Sequence, residues 1–297
     1  MHSGDHVGGC SESGGNVAGT FTHPPQTSLT VHRNVPLLTT DLTWRLERLV
    51  APDLTPPGVL PPPDVPLVVR FGKTIAAKAR LGRPTNKVFC FNRDDVGRLD
   101  DILAYYADDA LEPTFYLSPA SFRHEVGAAL TDAGFSQVEF QQAILYGVPS
   151  RELTGAPRDI TVERVSAENL DDYVTTMADG FEWSADWRDA AIAGARKGFV
   201  PNEQHCFLAR YRGEPAAVAT LRIKDGVASL GGGATAPRFR RQGCHTALLR
   251  HRLDVAYLLG CSMVTSGADF GSGSFRNQLR VGLHLAYIES GWRRRAQ

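Results

Sequence analysis

From residue 66 onward, apolar residues fall into two series of short alternating runs and one-turn stripes. In the first series, 66–72 and 87–91 read as strands. Residues 93–107 read as a helix, with Val96, Leu99, Leu103 and Tyr106 on one face. A strand follows at 113–117. Ser118-Pro119 then predicts a helix start, a cap followed by proline in the first turn. Phe122, Val126 and Leu130 form the stripe of that helix, Gly134 ends it, and 138–147 is a strand. The second series opens with a strand at 159–165. Ser166 is placed to cap a helix carrying Leu170, Tyr173 and Met177, and a second helix spans 184–195 with Trp187, Ala191 and Ala195 one turn apart. Strands at 205–210 and 216–223 flank the turn Arg212-Gly213-Glu214-Pro215. Asp225-Gly226 predicts a hairpin into a strand at 227–235. A helix from about 244 to 259 has Leu249, Leu253, Ala256 and Tyr257 on one face and Arg250, Arg252 and Asp254 on the other, with Gly260 as its stop. Strands at 263–268 and 285–289 complete the series. Strands alternating with helices in both halves predict an α/β (α+β, mixed-sheet) fold.

The two series echo one another. Leu130-Thr131-Asp132-Ala133-Gly134-Phe135 before a strand parallels Leu279-Arg280-Val281-Gly282-Leu283 before a strand, which predicts a tandem arrangement. Outside the series the pattern lapses. Residues 1–28 are Gly, Ser, His and Pro with almost no apolar content, and are expected to be a disordered tail. A mixed segment then ends in a short helix around 41–50. Prolines at 52, 56, 57, 61, 62, 63 and 66 make 51–66 an extended connector. The expected organisation is a tail at 1–28, an N-terminal domain at 29–148 that includes the connector, and a C-terminal domain at 158–297.

Charge and cysteine content narrow the function classes. Lys plus Arg and Asp plus Glu are 32 each, so the net charge is zero, which argues against general nucleic-acid or membrane-surface binding. Cys10, Cys90, Cys206, Cys244 and Cys261 are scattered, with no Cys-x-x-Cys pair. They fit reduced thiols in a cytoplasmic protein, and neither a disulfide framework nor a metal site. Cys244 stands at a predicted helix start, where a thiolate is favoured. No apolar run approaches the roughly 20 residues of a membrane span.

The most informative stretch is Thr235 to Leu249. A glycine-rich strand ends, a short basic loop follows, and a helix begins near Cys244. A loop running into a helix N-terminus presents unpaired N–H groups and the positive end of the helix dipole, a ready phosphate site. Arg240 and Arg241 add charge, and Gly243 lets the backbone come close to a ligand. Arg240-Arg241-Gln242-Gly243-Cys244-His245 resembles the pyrophosphate loop of the GNAT N-acetyltransferase superfamily, Gln/Arg-x-x-Gly-x-Gly/Ala. Arg240 and Gly243 match, and His245 stands where Gly or Ala is usual. Ser274-Phe275-Arg276-Asn277 up to Gly282-Leu283, then Leu285-Ala286-Tyr287, resembles the C-terminal motifs of a bacterial branch of that superfamily.

The resemblance implies an acyl-CoA N-acyltransferase fold in the C-terminal domain and a degenerate GNAT-like copy before it. It implies acetyl-CoA or another acyl-CoA as co-substrate, a small-molecule amine as acceptor, and no metal. Thr235, Arg240, Arg241, Gly243, Cys244, His245 and Thr246 would hold the cofactor, with Arg238 adding charge and Asn277 hydrogen-bonding the cofactor or capping its helix. Gly231-Gly232-Gly233 would form the bulged strand beside the pantetheine arm. The superfamily's tyrosine acid falls at Gln278 here, which leaves Tyr287 and Ser274 as candidate catalytic groups and Glu182 and His205 as possible bases. Two alternatives stay open: a carrier-protein thioester or aminoacyl-tRNA as donor, and a non-catalytic acyl-CoA-binding regulator.

Overall fold

The computed structural model describes residues 35–52, 66–78, 86–151, 159–184, 188–189, 192–193 and 205–294. Contacts divide the chain into residues 1–33 and 34–297. The first unit lies outside the described residues, as do the expected tail, nearly all of the proline-rich stretch and most of the helix expected at 184–195. In the second unit the elements run α1 (Thr40–Val50), β1 (Leu67–Phe71), β2 (Thr74–Lys78), β3 (Lys87–Phe89), a 3-10 turn (Arg93–Arg98) leading into α2 (Leu99–Ala107), β4 (Thr114–Leu117), α3 (His124–Asp132) and β5 (Phe135–Gly147). Then come β6 (Ile160–Arg164), α4 (Leu170–Gly180), β7 (His205–Tyr211), β8 (Glu214–Lys224), β9 (Val227–Thr235), a 3-10 turn (Pro237–Phe239), α5 (Cys244–Leu258), β10 (Met263–Asp269), α6 (Gly273–Arg280) and β11 (His284–Arg294). Among the described residues no helix is long and apolar enough to cross a membrane.

All these strands form one 11-stranded mixed sheet, ordered β1-β2-β3-β4-β11-β5-β10-β9-β8-β7-β6. Two neighbouring pairs are parallel, β3 with β4 and β9 with β10. In both, a 3-10 turn and a helix make the crossover, then a second helix leads to a final strand. Those final strands are exchanged. β5 pairs with β10 of the C-terminal series, and β11 pairs with β4 of the N-terminal one. β5 and β11 also pair with each other, so the halves are stitched together at the centre of the sheet. β5 suits that position because both its faces are apolar. Ala143 and Leu145 join the core under α5, while Ile144 and Tyr146 join the core under α1.

The helices sort onto two faces. Leu248, Leu249 and Leu253 of α5 and Phe275 of α6 bury against one face of the C-terminal strands, and Ile102, Tyr106, Val126 and Leu130 of α2 and α3 do the same in the N-terminal half. On the opposite face, Leu46 and Leu49 of α1 pack on Ile144, Val227 and Met263, and Leu170 and Val174 of α4 on Leu208 and Val218. Truncating Leu46, which is fully buried, to alanine costs about 2–5 kcal/mol.

Several local expectations are corrected. β2 carries no alternation because every residue in it is buried; its polar ends are satisfied by Asp95, which accepts from Thr74, and by Asp109 beside Lys78. The helix expected from 93 begins as a 3-10 turn, capped by the Asn92 side chain. Ser118 caps a turn, not a helix. Its Oγ accepts from the Ala120 and Ser121 amides, and α3 starts only at His124. Ser166 likewise does not cap α4, which begins at Leu170 after Asn169. β11 runs past 289 to Arg294 because it has strand partners on both sides.

Candidate functional site

β9 and β10 pair in parallel only from Val227↔Met263 to Leu230↔Ser266. Beyond that point β9 follows β8 and β10 follows β5 as far as Asp269↔Gln142, so the two strands part. Backbone groups of Gly231 to Thr235 and of Gly267 to Asp269 have no ladder partner across the gap, and such groups require partners of another kind. A bulge drives the parting. Between Val218↔Ala234 and Thr220↔Gly231 the β9 side holds one extra residue. Gly232 sits there at φ +55, and a Cβ on it would lie 2.9 Å from Thr220 Oγ1.

The bulge is braced from below by Arg252, which the expected polar face of α5 had placed toward solvent. Cys244, Leu248, Arg252 and Ala256 instead form a buried line at four-residue spacing. Arg252 is 2% exposed; its Nε donates to Leu248 O (3.1 Å), and its Nη1 donates to Thr220 O (3.0 Å) and Gly231 O (3.1 Å). Burial lowers its pKa to about 10, so it remains a cation at neutral pH. Three carbonyls solvate that charge.

α6 supplies the other wall. Arg280 Nη1 donates to Asn277 Oδ1 (2.7 Å), which turns Asn277 Nδ2 toward His245 Nδ1 (3.2 Å). A neutral imidazole accepting at Nδ1 carries its proton on Nε2, which faces Ser274 Oγ at 3.5 Å. Burial and the nearby Arg252 charge lower the His245 pKa to about 4, so the ring is neutral at pH 7. Ser274 Oγ also accepts from Gln278 Nε2 (3.2 Å), whose other contact is Gly267 O (3.4 Å). With two donors aimed at its oxygen, Ser274 keeps its own O–H for a further acceptor. Gln278 is 2% exposed, and its Oε1 has no hydrogen-bond partner among the described residues. His245 also lies against the bulge, 3.6 Å from where a Cβ on Gly233 would stand.

The loop joining β9 to α5 is basic and tightly turned. Arg238 pairs with Glu214 (3.1 Å), and Arg240 with Glu182 (2.8 Å) as well as the carbonyls of Gly180 and Thr235. Arg241, at φ +67, is exposed and makes no ion pair with a described residue. Gly243 is the residue before α5, at φ +90, and the first turn has no side-chain cap. Its N–H groups therefore face outward with the positive end of the helix dipole. Cys244 is not a thiolate candidate: its side chain is 1% exposed in the α5 core, and burial raises its pKa.

On the α1 face the gap opens into a pocket of about 350 Å³, lined by Ser229, Gly231, Thr265 and Gly267 of the strands and by Leu49 and Val50 of α1. Arg222 Nη2 holds the end of α1 there by donating to Leu49 O (2.6 Å).

Thus the loop residues Thr235, Arg240, Arg241, Gly243, Cys244, His245 and Thr246 are contiguous at the gap, and His245 brings in Ser274 and Asn277. Tyr287 is elsewhere. β5 separates its strand from β10, and its ring packs with Leu46, Leu49 and Ile144 under α1, its hydroxyl buried without a hydrogen-bond partner among the described residues. Burial raises the Tyr287 pKa well above its usual value. Glu182 is engaged by Arg240, and His205 lies at the start of β7 with its pKa lowered by partial burial. Arg252 and the unsatisfied Gln278 amide were not anticipated; the spacing of Arg252 from Cys244, Leu248 and Ala256 is the signal that marks it as core-facing.

Residues 165–271 match the family model described as the Acetyltransferase (GNAT) family. No curated protein matches the chain in sequence. Among solved structures, the chain is similar to a GCN5-related N-acetyltransferase from Kribbella flavida, at 18% identity and TM-score 0.59, over 78% of this chain and 91% of the other. It is also similar to a tandem GNAT protein from the clavulanic acid biosynthesis pathway, at 13% identity and TM-score 0.58, over 89% and 98% of the two chains. A third, a GCN5-related N-acetyltransferase from Sphaerobacter thermophilus, matches at 16% identity and TM-score 0.53, over 74% and 80%. At these identities the structural likeness establishes the shared fold.

Proposed function

Taking the GNAT acetyltransferase domain at residues 165–271 as premise, we propose that the protein transfers an acyl group from acyl-CoA to the amine of a small molecule. The observation that carries this reading is the gap between β9 and β10, with backbone on both sides that has no ladder partner across it and an uncapped helix start at its mouth. The chemistry of the donor set fits a CoA thioester. Amides from Arg241 to Thr246 would take the pyrophosphate. Arg241 is the loop cation left to face phosphate, because Arg238 and Arg240 are already paired with Glu214 and Glu182. The free edges of β9 and β10 would pair with the pantetheine amides. When bound, acyl-CoA supplies an activated acyl group as a thioester.

Backbone N–H groups at the bulge are placed to polarise a carbonyl in the gap. The free Ser274 O–H is placed to donate to a departing thiolate, its oxygen held by Gln278 and His245. The described lining of the pocket on the α1 face offers hydroxyls, the Gln142 amide and Arg222, but no carboxylate or imidazole. An acceptor therefore enters as the free amine or loses its proton to water.

The test is thermal stabilisation by CoA, acetyl-CoA and a phosphopantetheine carrier, followed by thiol release with a panel of amines. CoA is expected to raise the melting temperature, and no shift with any CoA ends this reading. A shift without turnover on any amine favours a non-catalytic acyl-CoA-binding protein, and a shift with the carrier alone favours a carrier-borne donor. Gly243→Val should abolish the CoA shift. A Cβ at 243 meets only Ile160 Cδ1 at 3.6 Å, so the fold has room for it, but a β-branched residue at φ +90 resists the loop conformation. Retained CoA binding in that variant would mean that the loop does not hold the cofactor.

A further inference from the structure

We propose that the acceptor amine carries an anionic group, a carboxylate or a phosphate, which docks in a basic pocket beside the transfer gap. The assignment of the gap as the transfer site rests on the function proposed above; the anion site itself stands on separate residues. A second pocket, of about 380 Å³, is lined by Arg45 and Arg48 of α1, Arg70 of β1, and Lys224 and Asp225 at the end of β8, with Trp44 and Ile75 as its apolar part. It shares Leu49 and Pro52 with the pocket at the gap, so the two are neighbours across the last turn of α1. Arg222 stands at that junction.

In a chain of zero net charge, the described lining of this pocket brings Arg45, Arg48 and Arg70 together, with Asp225 as its one described carboxylate. Arg45 is anchored on backbone, donating to Asp225 O (3.0 Å), which holds it in place without cancelling its charge. Arg48 and Arg70 make no hydrogen bond or ion pair with another described residue. Guanidinium groups converging from a helix and a strand match the oxygen geometry of a carboxylate or phosphate.

The CoA phosphates are not the occupant this pocket fits. The uncapped α5 start belongs to the face where Leu248 and Leu253 pack, whereas the basic pocket lies on the α1 face. An acceptor spanning both pockets would place its amine beside Gly231 and Gly267 and its acid beyond Leu49 and Pro52. The pocket volumes suit a small metabolite, not a polymer.

The experiment measures binding to the full chain without any acyl donor, at constant ionic strength. O-phosphoethanolamine and glutamate are compared with their neutral counterparts, ethanolamine and glutamine. The anionic amines are expected to stabilise the protein at millimolar concentration and the neutral ones not. R48E/R70E should weaken the anionic amines at least tenfold, with R48Q/R70Q intermediate, while its melting temperature and its shift with CoA stay unchanged, since both side chains are exposed. The phosphate and carboxylate arms tell the two anions apart. Equal binding of neutral and anionic amines, no binding of either anionic amine, or undiminished binding by R48E/R70E overturns the proposal. Anion binding that persists in a protein blind to CoA would instead sink only the acyl-CoA reading.

Discussion

The two parallel strand pairs of this molecule part in the same way and fill the resulting gap differently. In the N-terminal half, β3 and β4 pair last at Phe89↔Tyr116, and the next residue, Cys90, takes φ +58. In the C-terminal half, β9 and β10 pair last at Leu230↔Ser266, and Gly232 takes φ +55. At the first gap a carboxylate from α1 occupies the space. Glu47 Oε1 accepts from the Cys90 amide (2.9 Å) and Oε2 from Ser118 Oγ (2.5 Å). At the second, the glycines are exposed and no described side chain replaces that carboxylate. The helix starts differ as well. Before α2 the Asn92 side chain caps the turn, and Asp94, Asp95, Asp100 and Asp101 crowd it with negative charge. Before α5 there is no cap, and the loop carries Arg240 and Arg241. One topology therefore yields a sealed gap with an acidic helix start and an open gap with a basic one. The difference lies in side chains, and it leaves only the C-terminal gap open for the acyl-CoA of the proposed function.

The largest expected effect comes from closing the open gap. Gly232→Val would put a branched side chain at φ +55 and within 2.9 Å of Thr220 Oγ1, so the bulge must rearrange. We expect acyl transfer, measured as kcat/KM, to fall by about 1,000-fold, roughly 4 kcal/mol of lost transition-state stabilisation. The CoA-induced thermal shift should vanish with it. A variant that still binds CoA normally would break the distinction between the two gaps.

A second test probes the sealed gap through its carboxylate. Burial raises the Glu47 pKa from 4.5 to about 7, and Glu289, also buried, moves the same way. A carboxyl group whose folded pKa is raised holds a proton that the unfolded chain has already released. Stability is then fully present below about pH 4.5 and is lost as pH climbs to about 7, by on the order of 3 kcal/mol for one such group. Glu47→Gln keeps an acceptor for the Cys90 amide and offers donors to Ser118. It should abolish much of that slope, making the variant more stable than wild type at pH 8 and similar at pH 5 in urea melts. A variant with an unchanged slope would show that Glu47 is not the buried acid that seals the gap.

What the sequence makes legible follows the range of the interactions. β9, its glycines and α5 could be read locally, because strand alternation, a hairpin turn and one-turn spacing are short-range signals. The exchange of β5 and β11 could not. Ser290 pairs with Leu117 and Ala268 with Ala143, partners far apart in the chain, and an alternating apolar strand does not specify its neighbour. That exchange explains why Tyr287, a candidate catalytic group because Gln278 stands where the superfamily carries its tyrosine, sits under α1 with β5 between its strand and the gap. Glu47 and Arg252 escape a reading by polarity for a related reason. Each is charged on an amphipathic helix, where solvent is the default partner, and each is buried because backbone amides or carbonyls elsewhere in the fold need it. Ser274 and Asn277 were legible only through the family resemblance. Their link to His245 depends on α5 and α6 lying side by side.

The smallest effect tests the finest difference between the gaps, the fate of one hydroxyl proton. In the N-terminal half the Ser118 hydroxyl donates a hydrogen bond to Glu47 Oε2. In the C-terminal half Ser274 receives hydrogen bonds from Gln278 and His245, and its proton has no acceptor among the described residues. If that proton meets the departing thiolate, Ser274→Ala should lower kcat about tenfold, roughly 1.4 kcal/mol, within the range of a single neutral hydrogen bond. KM for the acyl donor and the melting temperature should stay close to wild type, because the hydroxyl is partly exposed and its loss leaves no cavity in the core. A merely structural role predicts the reverse: a lower melting temperature with kcat preserved, as the His245 and Gln278 donors lose their shared acceptor. The split between kcat and stability therefore decides whether the open gap differs from the sealed one in chemistry or only in shape.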